Sequence, residues 1–326
     1  MSSKKTCALL LFSGGLDSII AAKVLQNAGC EVTALTFETP FFNAKKARES
    51  AKSLGIEIIV RDISAVHFKL LRDPPHGFGK NLNPCIDCHG LMFRLAGEIA
   101  GLDSKLENSS KLNFQIIASG EVLGQRPFSQ NKQALGIVEK IAGVEILRPL
   151  SAKNLPETFY ERENLISREQ LLDLSGRTRK PQIALAAEWG IEYFPAPAGG
   201  CLLTDPAYSA RLKKLLERDS GTDFNEAELL KVGRFFLVGE RSFVMIGRDE
   251  AENEQLQSLA KSQMLRRGVS ALIKMQDFAG PTALLVLKKP DDFEEIFPKI
   301  TEKIKNYGKD SKNYEGEIEW NVERKT

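Results

Sequence analysis

The chain has 326 residues, 42% apolar and 27% charged, which predicts a soluble globular protein of about two domains and excludes disordered or fibrous classes. Its 45 basic and 43 acidic residues leave a net charge of only +2, so any nucleic-acid contact must come from a local basic patch. No stretch reaches membrane-spanning length, the apolar run after Lys4-Lys5 stops at Phe12 without a cleavage site, and five sparse cysteines argue against a disulfide framework; a cytoplasmic protein is expected.

In chain order, Leu9, Leu10, Leu11 and Phe12 form an apolar run of strand length that breaks into Ser13-Gly14-Gly15-Leu16-Asp17-Ser18. A helical pattern follows at once through Ile19, Ile20, Ala22, Val24 and Leu25. Paired glycines let backbone N–H groups turn inward, and a helix N-terminus adds partial positive charge, so this loop suits an anion such as phosphate. Asp17-Ser18 stands where a Walker loop has Lys-Ser/Thr, so the nucleotide loop is of another kind. An ordinary turn with Ser and Asp as helix caps is the alternative.

A strand is predicted at 31–36, a helix at 43–54 and a strand at 57–61, giving β-α-β-α-β and hence a parallel sheet with ligand sites at the carboxyl ends of its strands. A helix at 64–71 yields to an aperiodic segment at Arg72-Asp73-Pro74-Pro75-His76-Gly77, which leads to Asn83-Pro84-Cys85-Ile86-Asp87-Cys88-His89. That motif opens a helix through Leu91, Met92, Leu95, Ala96 and Ile99, so Cys85 and Cys88 occupy a first turn, where N–H groups and the dipole favour thiolates. Residues 103–111 read as a polar surface insertion.

A fourth strand at 114–119 runs into Gly120-Glu121-Val122-Leu123-Gly124-Gln125-Arg126-Pro127. Gly120 there permits close backbone approach to a ligand, and Gln125 and Arg126 supply donors. A helix at 131–142 and a short strand at 145–147 bring the sheet to at least five strands. A helical, charged pattern starts at Pro156 and passes through the cationic turn Ser175-Gly176-Arg177-Thr178-Arg179-Lys180-Pro181 to a helix ending near Trp189. That turn either meets phosphates or is simply solvated. Pro195 to Pro206 is an irregular loop around Gly199-Gly200-Cys201, an odd place for a cysteine unless something binds it.

The texture changes after Asp205. Helices at 208–218 and 226–232, a hairpin at 234–238 and 243–246, a helix opening at Gly247, strands at 270–275 and 283–287 and a helix at 293–305 predict a small α+β domain. With 21 basic against 22 acidic residues, this domain is not basic overall. The expected boundaries are 1–204 and 205–326.

Ser13 to Ser18, the Asn-Pro-Cys-x-x-Cys at 83–88, the Gly-Glu-x-Leu-Gly-Gln-Arg-Pro at 120–127 and Cys201 together resemble the PP-loop ATP pyrophosphatase family, in particular tRNA thiouridine synthetases of the 4-thiouridine and 2-thiouridine type. The resemblance covers about the first two-thirds of the chain and implies a doubly wound parallel sheet of the adenine nucleotide alpha hydrolase kind. The segments Val232-Gly233-Arg234-Phe235-Phe236 and Val244 to Glu254 are similar to the RNA-binding domain of NFACT proteins.

What the resemblance implies is an enzyme that adenylates a uridine carbonyl of tRNA, expels pyrophosphate and replaces the oxygen with sulfur. ATP and Mg2+ would be held by Ser13, Gly14, Gly15, Asp17, Ser18, Gly120, Gln125 and Arg126, with Phe37 stacked on adenine; an ordinary core aromatic fits Phe37 equally well. Cys85, Cys88 and Cys201 would hold a 4Fe-4S cluster or carry a persulfide. Structural zinc with His76 or His89 as fourth ligand is the remaining alternative. Cys7 and Cys30 read as inert core thiols.

Implied partners are tRNA and sulfide or a sulfur-donor protein, with a homodimer left open and no membrane. Two departures stand out: no RNA-binding domain precedes the loop and no rhodanese-like segment is visible, which leaves RNA to the C-terminal domain and sulfur to the three cysteines. A PP-loop amidating ligase and a nucleotide-regulated RNA-binding module without turnover are the other function classes.

Overall fold

A computed structural model describes residues 5–101, 114–196, 200–261, 269–276, 278–287, 292–315 and 317–325. The expectations for 103–111, Pro197, Ala198 and Gly199 lie outside these described residues. The chain divides into two compact units, Met1–Thr204 and Asp205–Thr326.

The first unit runs β1 (Cys7–Leu11), α1 (Leu16–Asn27), β2 (Glu31–Glu38), α2 (Lys45–Leu54), β3 (Glu57–Asp62), α3 (Ser64–Leu70), α4 (Cys85–Ala100), β4 (Ile116–Ser119), α5 (Lys132–Ala142), α6 (Phe159–Arg162) and α7 (Lys180–Glu188). Its four strands are all parallel in the order β3-β2-β1-β4, with Leu9 beside Thr33 on one flank and Ile117 on the other. The alternation of side chains along β1 explains its unbroken apolar sequence. Ala8 and Leu10 pack with Ile19, Ile20, Ala47, Ala51 and Ala186 from α1, α2 and α7, whereas Leu9 packs with Leu91, Phe93, Ala96, Val138 and Ala142 from α4 and α5. A central parallel strand covered on both faces must be apolar on both, and the unit is accordingly a doubly wound α/β fold.

Two expected elements are corrected. The strand at 145–147 shrinks to one bridge, Leu147 beside Ala118, so the sheet has four strands rather than five among the described residues. Pro149 lacks an N–H, and Arg148 turns its buried guanidinium to Glu121 and Glu139 instead of continuing the ladder. The helical pattern from Pro156 gives only the single turn of α6 and a 3-10 turn at Arg168–Gln170. Asn164 adopts a left-handed φ of 58°, and the Arg168 guanidinium donates to the carbonyls of Ala152 and Leu155, both at 2.8 Å, so side chains replace the helical ladder.

The second unit contains α8 (Pro206–Arg218), α9 (Phe224–Leu229), β5 (Arg234–Val238), β6 (Ser242–Ile246), α10 (Glu250–Lys261), β7 (Val269–Met275), β8 (Ala283–Leu287), α11 (Phe293–Tyr307) and β9 (Trp320–Lys325). Its sheet is antiparallel, ordered β5-β6-β8-β7-β9. Phe293, Ile296, Ile300 and Ile304 recur at helical spacing and bury one stripe of α11 against Val244, Ile246, Ile273 and Leu285. The strand β9 is absent from the sequence reading; its Trp-Asn-Val-Glu-Arg-Lys carries only two apolar side chains because it is an edge strand.

Helix α3 buries His67 completely, with its ring 5.6 Å from that of Phe41 and 5.5 Å from that of Phe42. Neither ring nitrogen has a hydrogen-bond partner among the described residues, and burial lowers its pKa from 6.5 to about 4. Between those values the unfolded chain binds a proton that the folded chain refuses. The neutral ring's contribution to stability is therefore whole above pH 6.5 and lost as pH falls through 4. His67→Leu should flatten the decline of the melting temperature across that window and stabilise the protein at pH 7 by about 1 kcal/mol, since two orphaned polar atoms go. A decline as steep in the variant as in the parent protein would reject this account.

Candidate active site

The strand-to-helix loop 12–18 is held from two sides. Gly14 takes a φ of +72°, and a Cβ there would lie 2.5 Å from the Lys46 carbonyl oxygen at the start of α2; Ser50 Oγ also donates to the Gly14 carbonyl at 2.9 Å. From the β4 side, a Cβ on Gly120 would lie 2.7 Å from the Ser18 Cα and N. Both glycines are required by contact, since backbone packs directly on backbone. Ser18 Oγ donates to Gly15 O at 2.8 Å and lies 3.4 Å from Ser13 Oγ, and the Gly15 N–H donates to Ser13 Oγ at 3.3 Å. Gly15 itself is the cap of α1, with no side-chain capping bond, so the alternative of Ser or Asp capping does not describe this turn. Its first amides suit an anion.

Asp17 is held by two amides: Gln125 Nε2 donates to Oδ2 at 2.9 Å and Gln182 Nε2 to Oδ1 at 3.3 Å. The sequence reading missed Gln182, which lies 165 residues away on α7 and carries no motif. The turn 175–181 exposes Arg177, Thr178 and Lys180 to solvent but is anchored at its start. Ser175 bridges to Leu123, and the Gly176 N–H donates to the Leu123 carbonyl at 2.7 Å, which docks this segment beside the 120–127 loop.

Phe37 is corrected to the core: it is 4% exposed and packs with Leu9, Leu35 and Leu91 rather than presenting a face to adenine.

The cysteines fall into two groups. Cys7 starts β1 and Cys30 precedes β2, at the amino edge of the sheet. Cys85 and Cys88 start α4, and Cys201 follows in a loop anchored by the Leu202 N–H to the Phe41 carbonyl at 2.9 Å and by Asn81 Nδ2 to the Thr204 carbonyl at 2.8 Å. Burial pushes the Cys88 thiol well up, and Cys201 and Cys85 raise it further because they face it; burial also pushes Cys201 up to about 11. The Cys85 thiol is raised by burial too, against the opposing charge of Arg126. The expected dipole-favoured thiolates are thus corrected: desolvation outweighs the helix terminus, and the unliganded thiols are protonated at neutral pH. Arg126, adjacent to Gln125, links this group to the Asp17 loop.

Among the described residues no three His, Cys, Asp or Glu side chains are grouped to hold a single metal ion. Each candidate histidine donates Nδ1–H to a carboxylate, His76 to Asp87 Oδ1 at 2.6 Å and His89 to Glu121 Oε1 at 3.0 Å, which orients the ring and leaves Nε2 for another partner.

Glu121 joins these parts. Its buried carboxylate accepts from His89 on α4, from Arg148 Nε at 3.0 Å and from Ser119 Oγ at 3.2 Å. Burial alone would raise its pKa, but the Arg148 guanidinium and His89 outweigh that and hold it at about 2.

The doubly wound α/β unit, whose first strand leads through Ser-Gly-Gly-x-Asp-Ser into a helix, has an arrangement similar to that of PP-loop domains. More particularly, residues 3–155 match the family model described as Thiamine biosynthesis protein (ThiI), a segment that includes the loop, Cys85, Cys88 and Glu121 but not Cys201. Similar curated proteins include the "Probable tRNA sulfurtransferase" of Moorella thermoacetica, 28% identical over 44% of this chain and 35% of that protein. The protein of the same name from Finegoldia magna is 30% identical over 46% of this chain and 37% of its own. The matched part thus spans little more than a third of the length of these relatives. Among solved structures, a 4-thiouridine synthetase–RNA complex with bound ATP aligns over 56% of this chain and 50% of its own at 21% identity and a TM-score of 0.36. A predicted subunit of tRNA methyltransferase from Methanocaldococcus jannaschii covers the same share of this chain and 76% of its own at 17% identity and a TM-score of 0.36. Among the described residues no helix is long and apolar enough to cross a membrane.

Glu121→Gln should cost about 3–5 kcal/mol, because it leaves the 4%-exposed Arg148 without its buried counter-charge. In the parent protein the Glu121 contribution is present above pH 4.5 and lost as pH falls through 2. Urea midpoints as a function of pH check both; a loss below about 1 kcal/mol would show that the pair is not needed.

Proposed function

We propose that the protein is an ATP-dependent tRNA sulfurtransferase. The observation that supports this reading is a Ser-Gly-Gly-x-Asp-Ser loop in the same unit as Cys85, Cys88 and Cys201, which lie near enough for Cys85 and Cys201 to raise the pKa of Cys88, with Gln125 on Asp17 and its neighbour Arg126 acting on Cys85. The sulfurtransferase names of the relatives agree with it.

A uridine carbonyl oxygen is a poor leaving group. In the proposed reaction it attacks the α-phosphorus of ATP, pyrophosphate departs to the N–H groups and hydroxyls of Ser13, Gly14, Gly15 and Ser18, and Asp17 positions Mg2+. Gly120 keeps the β4 loop close to the phosphates, and Gln125 and Arg126 orient the nucleotide. Sulfur then attacks the activated carbon and AMP leaves with the former carbonyl oxygen. Cys85, Cys88 and Cys201 would hold a 4Fe-4S cluster, which when bound supplies an iron with a position open for sulfur. The chain buries Cys88, leaves Cys85 and Cys201 partly accessible, and sets Arg126 near Cys85.

Incubation with ATP and tRNA should yield AMP and pyrophosphate together with thiouridine in digested tRNA. ADP as the nucleotide product would reject the assignment. Replacing any one of Cys85, Cys88 or Cys201 with Ala should abolish thiolation and remove the roughly four irons per chain of an anaerobically reconstituted protein. Full thiolation without iron would shift the sulfur-handling role to a persulfide on the same cysteines.

RNA binding is proposed for the second unit. Its support is a cationic and aromatic face between edge strand β5 and α11. There the Arg234 guanidinium lies 4.5 Å over the Tyr307 ring, Lys303 Nζ lies 4.7 Å over Phe236, and Phe236 stacks with the 44%-exposed Tyr307 at 6.3 Å. Aromatic faces with adjacent cations suit unstacked bases and phosphates. Lys303→Ala should weaken tRNA binding and reduce the slope of log affinity against log salt by about one phosphate contact; an unchanged slope and affinity would remove this face from the RNA site.

A further inference from the structure

The two amides that hold Asp17 are themselves incompletely satisfied. Gln182 is 1% exposed, yet its Oε1 is buried without a hydrogen-bond partner, and the same is true of Gln125 Oε1. The acceptor Asp17 fixes which end of each amide faces it, since a carboxylate takes hydrogen bonds only from the NH2 end. One turn before Gln182, at the cap of α7, Arg179 has a buried Nε–H that is also without a partner among the described residues. Cap and third helical positions share a face, so Arg179 and Gln182 present two unmet polar atoms from one turn, with the third, Gln125 Oε1, on the loop docked beside it.

The unmet atoms have opposite needs. Two carbonyl oxygens require donors or a cation; the guanidinium N–H requires an acceptor. A purely structural clamp on Asp17 would need neither. A magnesium-bound polyphosphate brings both at once, because Mg2+ retains several waters that donate, and phosphate oxygens accept from Arg.

We propose that the first turn of α7 is the second wall of the nucleotide site: Gln182 and Gln125 position Asp17 and accept from the water shell of its Mg2+, while Arg179 binds a phosphate oxygen of the same ligand. This rests on the nucleotide reading above and extends it to Arg179 and Gln182, which lie outside both the loop 12–18 and the segment that matches the ThiI family model. Gln182 is a positioning residue, acting through Asp17, whereas Arg179 touches the ligand. The arrangement also gives a reason for the docking of 175–176 on Leu123, which fixes the start of α7 against the loop that carries Gln125.

Isothermal titration of the full-length protein with ATP, in Mg2+ and separately in EDTA, tests this, with melting temperatures of the ligand-free proteins alongside. Gln182→Leu should weaken Mg·ATP about tenfold, leave metal-free ATP unchanged and not lower the melting temperature. Arg179→Met should weaken ATP about tenfold in both conditions, and Arg179→Lys should recover part of that loss. Gln125→Leu, on a loop rather than in a helix, should show the same Mg-specific loss as Gln182→Leu and serves if the latter fails to fold. Parental affinity in Gln182→Leu and Gln125→Leu, or equal losses with and without Mg2+ together with a lowered melting temperature, would overturn the proposal while leaving the nucleotide reading intact. A parent protein that binds no ATP in either condition would overturn both.

Discussion

A single buried carboxylate holds the first unit's functional edge together. Glu121 is 6% exposed and lies two residues past the end of β4, where it gathers His89 from α4, Arg148 from the segment after α5, and Ser119 from its own strand. Arg148 extends the network to Glu139 on α5 at 2.5 Å. Such a network is expensive to bury and is tolerated only when its members satisfy one another. Gly120, next in the chain, sits with its backbone against Ser18, and the helix that begins at Cys85 is tied to Glu121 through His89. The loop 12–18, the loop that carries Gln125 and the helix of Cys85 and Cys88 therefore meet around this one carboxylate.

Much of this was legible in the sequence where local chemistry and global fold agree. Leu9 to Phe12 could only be a buried strand, the Ser-Gly-Gly-x-Asp-Ser junction could only be a tight strand-to-helix loop, and Pro84-Cys85 marked a helix start. Legibility failed where a side chain substituted for backbone pairing. Arg148 diverts the chain to Glu121 and ends a would-be strand at Leu147, and Arg168 bonds carbonyls that a helix would otherwise have used. Gln182 was invisible for a different reason: its role depends on where α7 docks, and glutamine in an ordinary helical pattern carries no signal. β9 was missed because an edge strand exposes one side and reads as polar.

The thiols show how burial and helix electrostatics compete. A first-turn cysteine in water would gain from the dipole, but Cys88 is fully enclosed and its neighbours are two further thiols and Asp87, so every nearby influence opposes ionisation. Arg126 acts in the other direction on Cys85, and backbone hydrogen bonds do so on Cys85 and Cys201, without offsetting burial. The group is thus quiescent until something cationic or electrophilic joins it.

The separation of the cysteines by the length of β1 has a protective effect. Five residues of strand span about 16 Å, whereas a disulfide needs its two Cα atoms within about 7 Å. Cys7 and Cys30 at one edge of the sheet therefore cannot exchange with Cys85, Cys88 or Cys201 at the other while the unit stays folded. The sheet thus bars disulfide exchange between the two sets within one folded chain, although each set includes a part-exposed thiol.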